Sequence, residues 1–362
     1  MIDKELGPRP AMVAPARRAR LAAVIAPMLL TGLLSAGPAT AQDTPQCLPR
    51  TTPPVAHLEQ VSATPVDART TLYAFRSAAA GRVAPDGLVR VRVTLPVGYE
   101  EETTRYPVLV HLHGARNSPT TWPAAEVEQV IGDTPVIVVQ PDGGPVGFYS
   151  DWYGTPVSGS DPFNGPIAFP PPAWETFHLR ELLPWVDSTF STTGHRAVAG
   201  SSMGGFGAMS YAARNPGVFD AAAAFSGAVN VDALSPAVSS LLQLAEPCIW
   251  GDRTQQAANW DARNPTALAG ELHGTSLYVT AGDGRPGVHD DATTAISPLA
   301  GVEVLMRQLS DDFVAALDRN GVPVTTEFHH GTHPGPIELS RHYDFDALRA
   351  FLPQAMTAMT RR

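Results

Sequence analysis

Short apolar runs recur along the chain at 108–112, 136–139, 196–199, 221–225 and 277–280. They are too short for helices and do not alternate with polar residues, as expected of strands buried on both faces. Residues 88–95 do alternate, which predicts a half-buried strand, and 324–328 reads as the last strand of the series. Helical spacing lies between these runs. It is clearest over 175–190 (Leu179, Leu182, Leu183, Val186), over 206–214, stopped by Asn215-Pro216, and over 302–319 (Leu305, Leu309, Phe313, Leu317), with Gly321 beyond its end. Strands alternating with helices predict an α/β fold, a mostly parallel central sheet with helices on both faces. Two long irregular segments, 141–173 and 230–274, follow predicted strands and so emerge at the carboxyl edge of the sheet, where open α/β sheets place their ligands. The plainer alternative is that their aromatic residues, Trp250 and Trp260 among them, only plug the loops onto the core.

The first forty residues have a different pattern. Arg17, Arg18 and Arg20 precede an apolar run at 21–34 and small residues ending Ala39-Thr40-Ala41. This order predicts a secretory signal peptide over 1–41, cut after Ala41. The run is shorter than the roughly 20 residues that span a bilayer, so no transmembrane anchor is expected to remain and the protein is expected outside the cytoplasm, secreted or in the cell envelope. Residues 42–87 then read as an N-terminal segment with a first strand, and 88–355 as the main domain.

Composition narrows the function. With 44% hydrophobic and 17% charged residues the chain is an ordinary globular protein. Its net charge of −10 drops by a further three without residues 1–41, which hold five basic and two acidic side chains. An acidic chain with no basic stripe excludes a nucleic acid partner. The only two cysteines, Cys47 and Cys248, are an even count in an exported protein and favour a disulfide.

The candidate chemistry centres on Gly200-Ser201-Ser202-Met203-Gly204. A G-x-S-x-G sequence between a buried strand and a helix predicts a nucleophile elbow, with Ser202 lifted above the sheet edge; Ser201 lacks the glycine frame. A serine hydroxyl needs a general base, and the base needs an acid to orient it. His333, in Gly331-Thr332-His333 after the last strand, is the favoured base, with His330 second. The acid is expected after the strand at 277–280, where Asp290 is preferred and Asp291 and Asp283 are alternatives. Two backbone donors should stabilise the oxyanion: Met203 N–H, and Ala115 N–H from His113-Gly114-Ala115-Arg116 after the strand at 108–112. No cofactor or metal is called for. A competing metallohydrolase reading draws on His111, His113, His329, His330 and His333.

These residues, together with Phe148-Tyr149-Ser150-Asp151-Trp152-Tyr153, Trp174-Glu175-Thr176-Phe177, Glu181-Leu182-Leu183-Pro184 and Gly282-Asp283-Gly284-Arg285-Pro286, resemble the antigen 85 mycolyltransferases and the related esterase D type hydrolases. The blocks occur in the family's order over roughly residues 54–355. The resemblance implies an α/β-hydrolase fold and a serine esterase acting on acyl esters through an acyl-enzyme. An acyltransferase passing the acyl chain to a sugar or glycerol hydroxyl is the alternative. It also implies substrate contacts from Arg116, which matches an arginine after the oxyanion loop, and from Trp152 and His113. His113 stands where the mycolyltransferases carry an aspartate, Pro334-Gly335 replaces Ser-Trp, and those enzymes use a glutamate in the loop where this chain offers aspartates. A non-catalytic surface binding protein is a further reading, since the family has such members.

Overall fold

The computed structural model describes residues 47–156, 171–234, 246–290, 299–332 and 337–361. The predicted leader, His333 and Asp291 lie outside the described residues. Residues 45–362 form one compact unit, which takes in the strands of 47–87.

In chain order the strands are β1 (Cys47–Pro49), β2 (Leu58–Pro65), β3 (Thr70–Ser77), β4 (Val89–Thr94), β5 (Tyr106–Leu112), β6 (Ile137–Pro141), β7 (Gly154–Pro156), β8 (Thr192–Ser201), β9 (Ala221–Phe225), β10 (Ser276–Gly282) and β11 (Val324–His329). The main helices are α1 (Ala124–Ile131), α2 (Trp174–Thr176, continuing through a π-helical stretch Phe177–Leu182 into Leu183–Thr189), α3 (Met203–Arg214), α4 (Leu299–Arg319) and α5 (Ile337–Thr360). Nine strands form one sheet in the order β11-β10-β9-β8-β5-β6-β4-β3-β2. From β11 to β6 neighbouring strands are parallel; β4, β3 and β2 join antiparallel at the other end. The central sheet is therefore mostly parallel, as the strand–helix alternation implies.

Both faces are covered, and the period-2 geometry of a strand explains how unbroken apolar runs serve them. Val108, Val110 and Leu112 of β5 point into the cluster beneath α2, α3 and α4, while Leu109 points into the cluster beneath α1 and α5. In β9, Ala222 and Ala224 face the first cluster, and Ala221, Ala223 and Phe225 the second. The run of alanines leaves room for helices to approach closely on both sides.

The stretch read as holding one strand holds three, because β2 and β3 extend the sheet as an edge hairpin. β2 is exposed along nearly its whole length, so it lacks the apolar alternation that marks a strand in sequence. The first irregular segment supplies β7, which pairs with β1 in a second, two-stranded sheet, and it meets the other irregular segment where Tyr153 N–H donates to the Ile249 carbonyl at 2.8 Å. Cys47 and Cys248 are bonded beside it, across 201 positions of sequence. Trp250 and Trp260 are fully buried there; their indole N–H groups donate to Ser150 Oγ at 3.1 Å and to the Gly251 carbonyl at 2.9 Å. These two tryptophans anchor the loops to the core. No helix among the described residues is long and apolar enough to cross a membrane.

Candidate active site

The strand order reverses at β5, which has β6 on one side and β8 on the other. Crevices outside such a switch point are where open α/β sheets bind ligands, and the two loops leaving β5 and β8 carry the oxyanion-loop and nucleophile candidates. Leu112 pairs with Gly200 in register, so the two loops start side by side.

Ser202 is the turn residue between β8 and α3, with φ 54° and ψ −113°. A non-glycine residue in this region is strained and persists only where its surroundings over-determine it. Three backbone bonds do so: Ser202 N–H donates to the Phe225 carbonyl at 2.9 Å, and the Ser202 carbonyl accepts from Phe206 N–H at 3.2 Å and Ala228 N–H at 3.1 Å. The glycine frame has a steric cause. A Cβ at Gly200 would lie 2.7 Å from the Leu112 carbonyl oxygen and 2.5 Å from backbone atoms of Gly204, and one at Gly204 would run into Leu112 from the other side. Ser201, by contrast, is buried with its hydroxyl unpartnered among the described residues.

Met203 is the first residue of α3, so its N–H has no partner within the helix and lies at the positive end of the helix dipole. The oxyanion-loop candidate lies alongside: a Cβ at Gly114 would sit 3.6 Å from Ser202 Cβ. Arg116 holds φ 62° and donates its N–H to the Pro145 carbonyl at 2.6 Å, which turns the loop at Ala115. His113 is buried, and both ring nitrogens are committed to backbone groups, Gly114 O at 2.8 Å and Gly143 N–H at 3.0 Å. Trp152 is buried too, its indole N–H donating to Gly147 O at 3.0 Å. Of the three residues expected to contact substrate, His113 and Trp152 thus brace loops, while Arg116 is exposed.

The acidic candidates separate by their partners. Asp283 pairs with His330 at 2.8 Å, but that ring is 65% exposed. Asp290 accepts from Gly287 N–H at 2.7 Å, Tyr343 Oη at 2.7 Å and Thr332 N–H at 3.0 Å, and also from the Thr332 hydroxyl. Partial burial pushes its carboxyl up, and the bonds from Thr332, Gly287 and Tyr343 outweigh this, so its pKa is held below the ordinary value. Its carboxylate clamps the segment that runs into His333. His329 stacks on the Tyr343 ring at 5.0 Å, and His111 is buried against Trp122 at 4.1 Å.

Glu303 is not among the sequence candidates. It lies on α4, is 2% exposed, and its Oε1 accepts from Ser226 Oγ at 2.6 Å and Gly282 N–H at 2.5 Å. Ser226 follows β9 directly beside the elbow, and Gly282 ends β10. A Cβ on Gly282 would lie 3.1 Å from Glu303 Cγ and 2.5 Å from the Gly331 carbonyl, so this carboxylate sits at the foot of the Gly331-Thr332 segment. The sequence held one signal: a charged residue in the register Glu303, Met306, Leu309, Phe313 that faces the core.

Residues 84–321, more than half of the chain, match the Esterase family model. Esterase Rv1288 of Mycobacterium tuberculosis (strain ATCC 25618 / H37Rv) is 33% identical over 234 residues, covering 61% of this chain and 49% of the relative. Diacylglycerol acyltransferase/mycolyltransferase Ag85B of Mycolicibacterium smegmatis is 28% identical over 201 residues, covering 52% of this chain and 59% of the relative. The aligned region thus spans about half the length of these curated relatives. Among solved structures, MPT51 of Mycobacterium tuberculosis superposes with a TM-score of 0.53 at 20% identity, covering 75% of this chain and 94% of that one, a likeness of fold. The chain belongs to the Esterase family, has the α/β-hydrolase fold, and counts the antigen 85 mycolyltransferases among its relatives.

Proposed function

We propose that the protein is an exported serine esterase that cleaves carboxylic esters through an acyl-enzyme. Ser202 Oγ attacks the acyl carbonyl as its proton passes to His333, and the Met203 and Ala115 N–H groups receive the oxyanion. Collapse of the tetrahedral intermediate expels the alcohol, which takes that proton. Water, deprotonated by His333, then releases the carboxylic acid and restores Ser202. We assign the acid to Glu303 in place of Asp290. Glu303 is buried at the foot of the Gly331-Thr332 segment and tied to the ends of β9, which neighbours the elbow strand, and of β10, whereas the Asp290 carboxylate is engaged by Gly287, Thr332 and Tyr343.

The observation that carries the reading is the strained, backbone-pinned turn at Ser202 beside the Gly114 loop. Export is supported by the leader pattern at 1–41 and by the Cys47–Cys248 bond. Ser202→Ala should abolish turnover of a p-nitrophenyl acyl ester; persistent turnover removes the proposal. A sugar or glycerol hydroxyl in place of water makes the same acyl-enzyme an acyltransferase, which the Ag85B relative favours. Incubation with an acyl ester and trehalose separates the two, by whether the acyl group ends on sugar or on water.

A further inference from the structure

The loop that carries Ala115 is held from behind by a hydrogen-bond network to residues 143–149. Gly143 N–H donates to His113 Nε2 at 3.0 Å, which makes that nitrogen an acceptor and leaves the ring proton on Nδ1, where it is donated to Gly114 O at 2.8 Å. The Tyr149 hydroxyl donates to the His113 carbonyl at 2.7 Å, and Arg116 N–H to the Pro145 carbonyl at 2.6 Å. The same segment grips the nucleophile helix. Tyr149 is buried with its ring over Gly207 of α3, where a Cβ would lie 2.6 Å from ring carbons, and Phe148 N–H donates to Met203 Sδ at 3.3 Å. Phe148 and Tyr149 both hold φ 46°. Two successive non-glycine residues in the left-handed region cost energy, and such strain collects where geometry is part of a mechanism.

We propose that Tyr149 and His113 are positioning residues of the oxyanion hole. Neither touches the reacting atoms. Tyr149 fixes the distance between the two donor-bearing segments, because one ring packs on α3 while its hydroxyl holds the carbonyl two residues before Ala115. His113, as the neutral Nδ1–H form, closes the loop onto Gly114 and accepts from Gly143, so its imidazole works as a strut and not as a contact to substrate. The inference rests on the acyl-transfer chemistry proposed for Ser202.

The test uses the full chain with Tyr149→Phe, His113→Gln and His113→Leu, an acyl ester substrate, a boronic acid that forms an anionic tetrahedral adduct on serine, and the neutral amide matching the ester. Removing an oxyanion donor itself costs roughly 10²–10³ in kcat, so loss of its support should cost about tenfold. Tyr149→Phe is expected to lower kcat and boronate affinity by that similar factor, with KM and amide affinity changed less than about twofold. His113→Gln, which keeps an acceptor for Gly143, should retain more of both than His113→Leu. Unchanged kcat and boronate affinity in Tyr149→Phe, or an equal loss of amide affinity, overturns the proposal. Should Tyr149→Phe not fold, the two His113 variants decide it: equal kcat and boronate affinity in both is the contrary result. Full turnover by Ser202→Ala would instead remove the catalytic reading, and is measured separately.

Discussion

The Ser226 hydroxyl donates to Glu303 Oε1 at 2.6 Å, joining a residue at the end of β9 to a carboxylate on α4. Ser226 holds φ 44°, and its own N–H donates to the Thr280 carbonyl at 2.8 Å. An acid held this way cannot swing, which is what a group orienting a catalytic imidazole requires. Glu303→Gln should lower kcat by roughly 10³–10⁴ in a folded protein, by analogy with loss of the acid in serine triads. Asp290→Asn should leave substantially more activity, because Asp290 acts on Thr332. Comparison of the two kcat values checks the assignment; greater loss at Asp290 would reverse it.

Gly200 offers a steric test of the elbow. Its added Cβ would press on backbone atoms of both Gly204 and Leu112, neither of which is the end of a flexible side chain. Gly200→Ala should destabilise the fold by about 1–3 kcal/mol, as overpacking does, and should slow labelling of Ser202 by a fluorophosphonate. Denaturant titration and labelling rate measure the two effects. An unchanged midpoint would mean the elbow has slack the structure does not show.

The disulfide ties the segment before β2 to the short helix Glu246–Ile249. Cys248→Ser should cost about 2–4 kcal/mol, mainly by freeing the unfolded chain. Unfolding of the oxidised protein and the variant under the same conditions gives the difference directly. A difference under half a kcal/mol would show that the β1–β7 pairing holds these segments unaided.

Two buried histidines set the response to acid. Burial lowers the His111 pKa to about 3, with the Arg92 guanidinium adding to it. Burial also lowers His178 to about 4, partly offset by its bond to the Asp142 carbonyl at 2.8 Å. Both stay neutral in the fold and protonate near 6.5 when unfolded, so the unfolded chain binds more protons below that pH. Stability should fall as pH drops from about 6.5 towards 4, with an uptake of about two protons on unfolding from these rings near pH 5. Unfolding free energy measured at several pH values gives that slope. A flat profile between pH 6.5 and 5 would contradict the buried neutral state.

The sequence was most legible where local pattern and tertiary placement agree. The apolar runs at 108–112, 221–225 and 277–280 are central strands because only strands buried on both faces need no polar side, and the elbow showed because its glycines answer a local clash. Three things were hidden. β2 is an exposed edge whose pairing with β3 leaves no apolar trace, and α5 carries Pro353 and a mixed face. Glu303 is hidden for a different reason: the helical spacing over 302–319 is plain in the sequence, yet the partners of this carboxylate come from the ends of β9 and β10, which only the folded sheet brings together. Asp290 lies in the loop after the strand at 277–280, where the sequence alone points for an acid.

On the proposed mechanism the hydroxyl perched between β8 and α3 takes up the acyl group. Rapid acid quench of the protein with a slowly released acyl ester, followed by peptide mass spectrometry, tests this most directly. One added acyl mass is expected on the peptide at Ser202, absent from Ser202→Ala and accumulating in Glu303→Gln only slowly. Turnover with no covalent acyl mass, or with that mass on another residue, would contradict it.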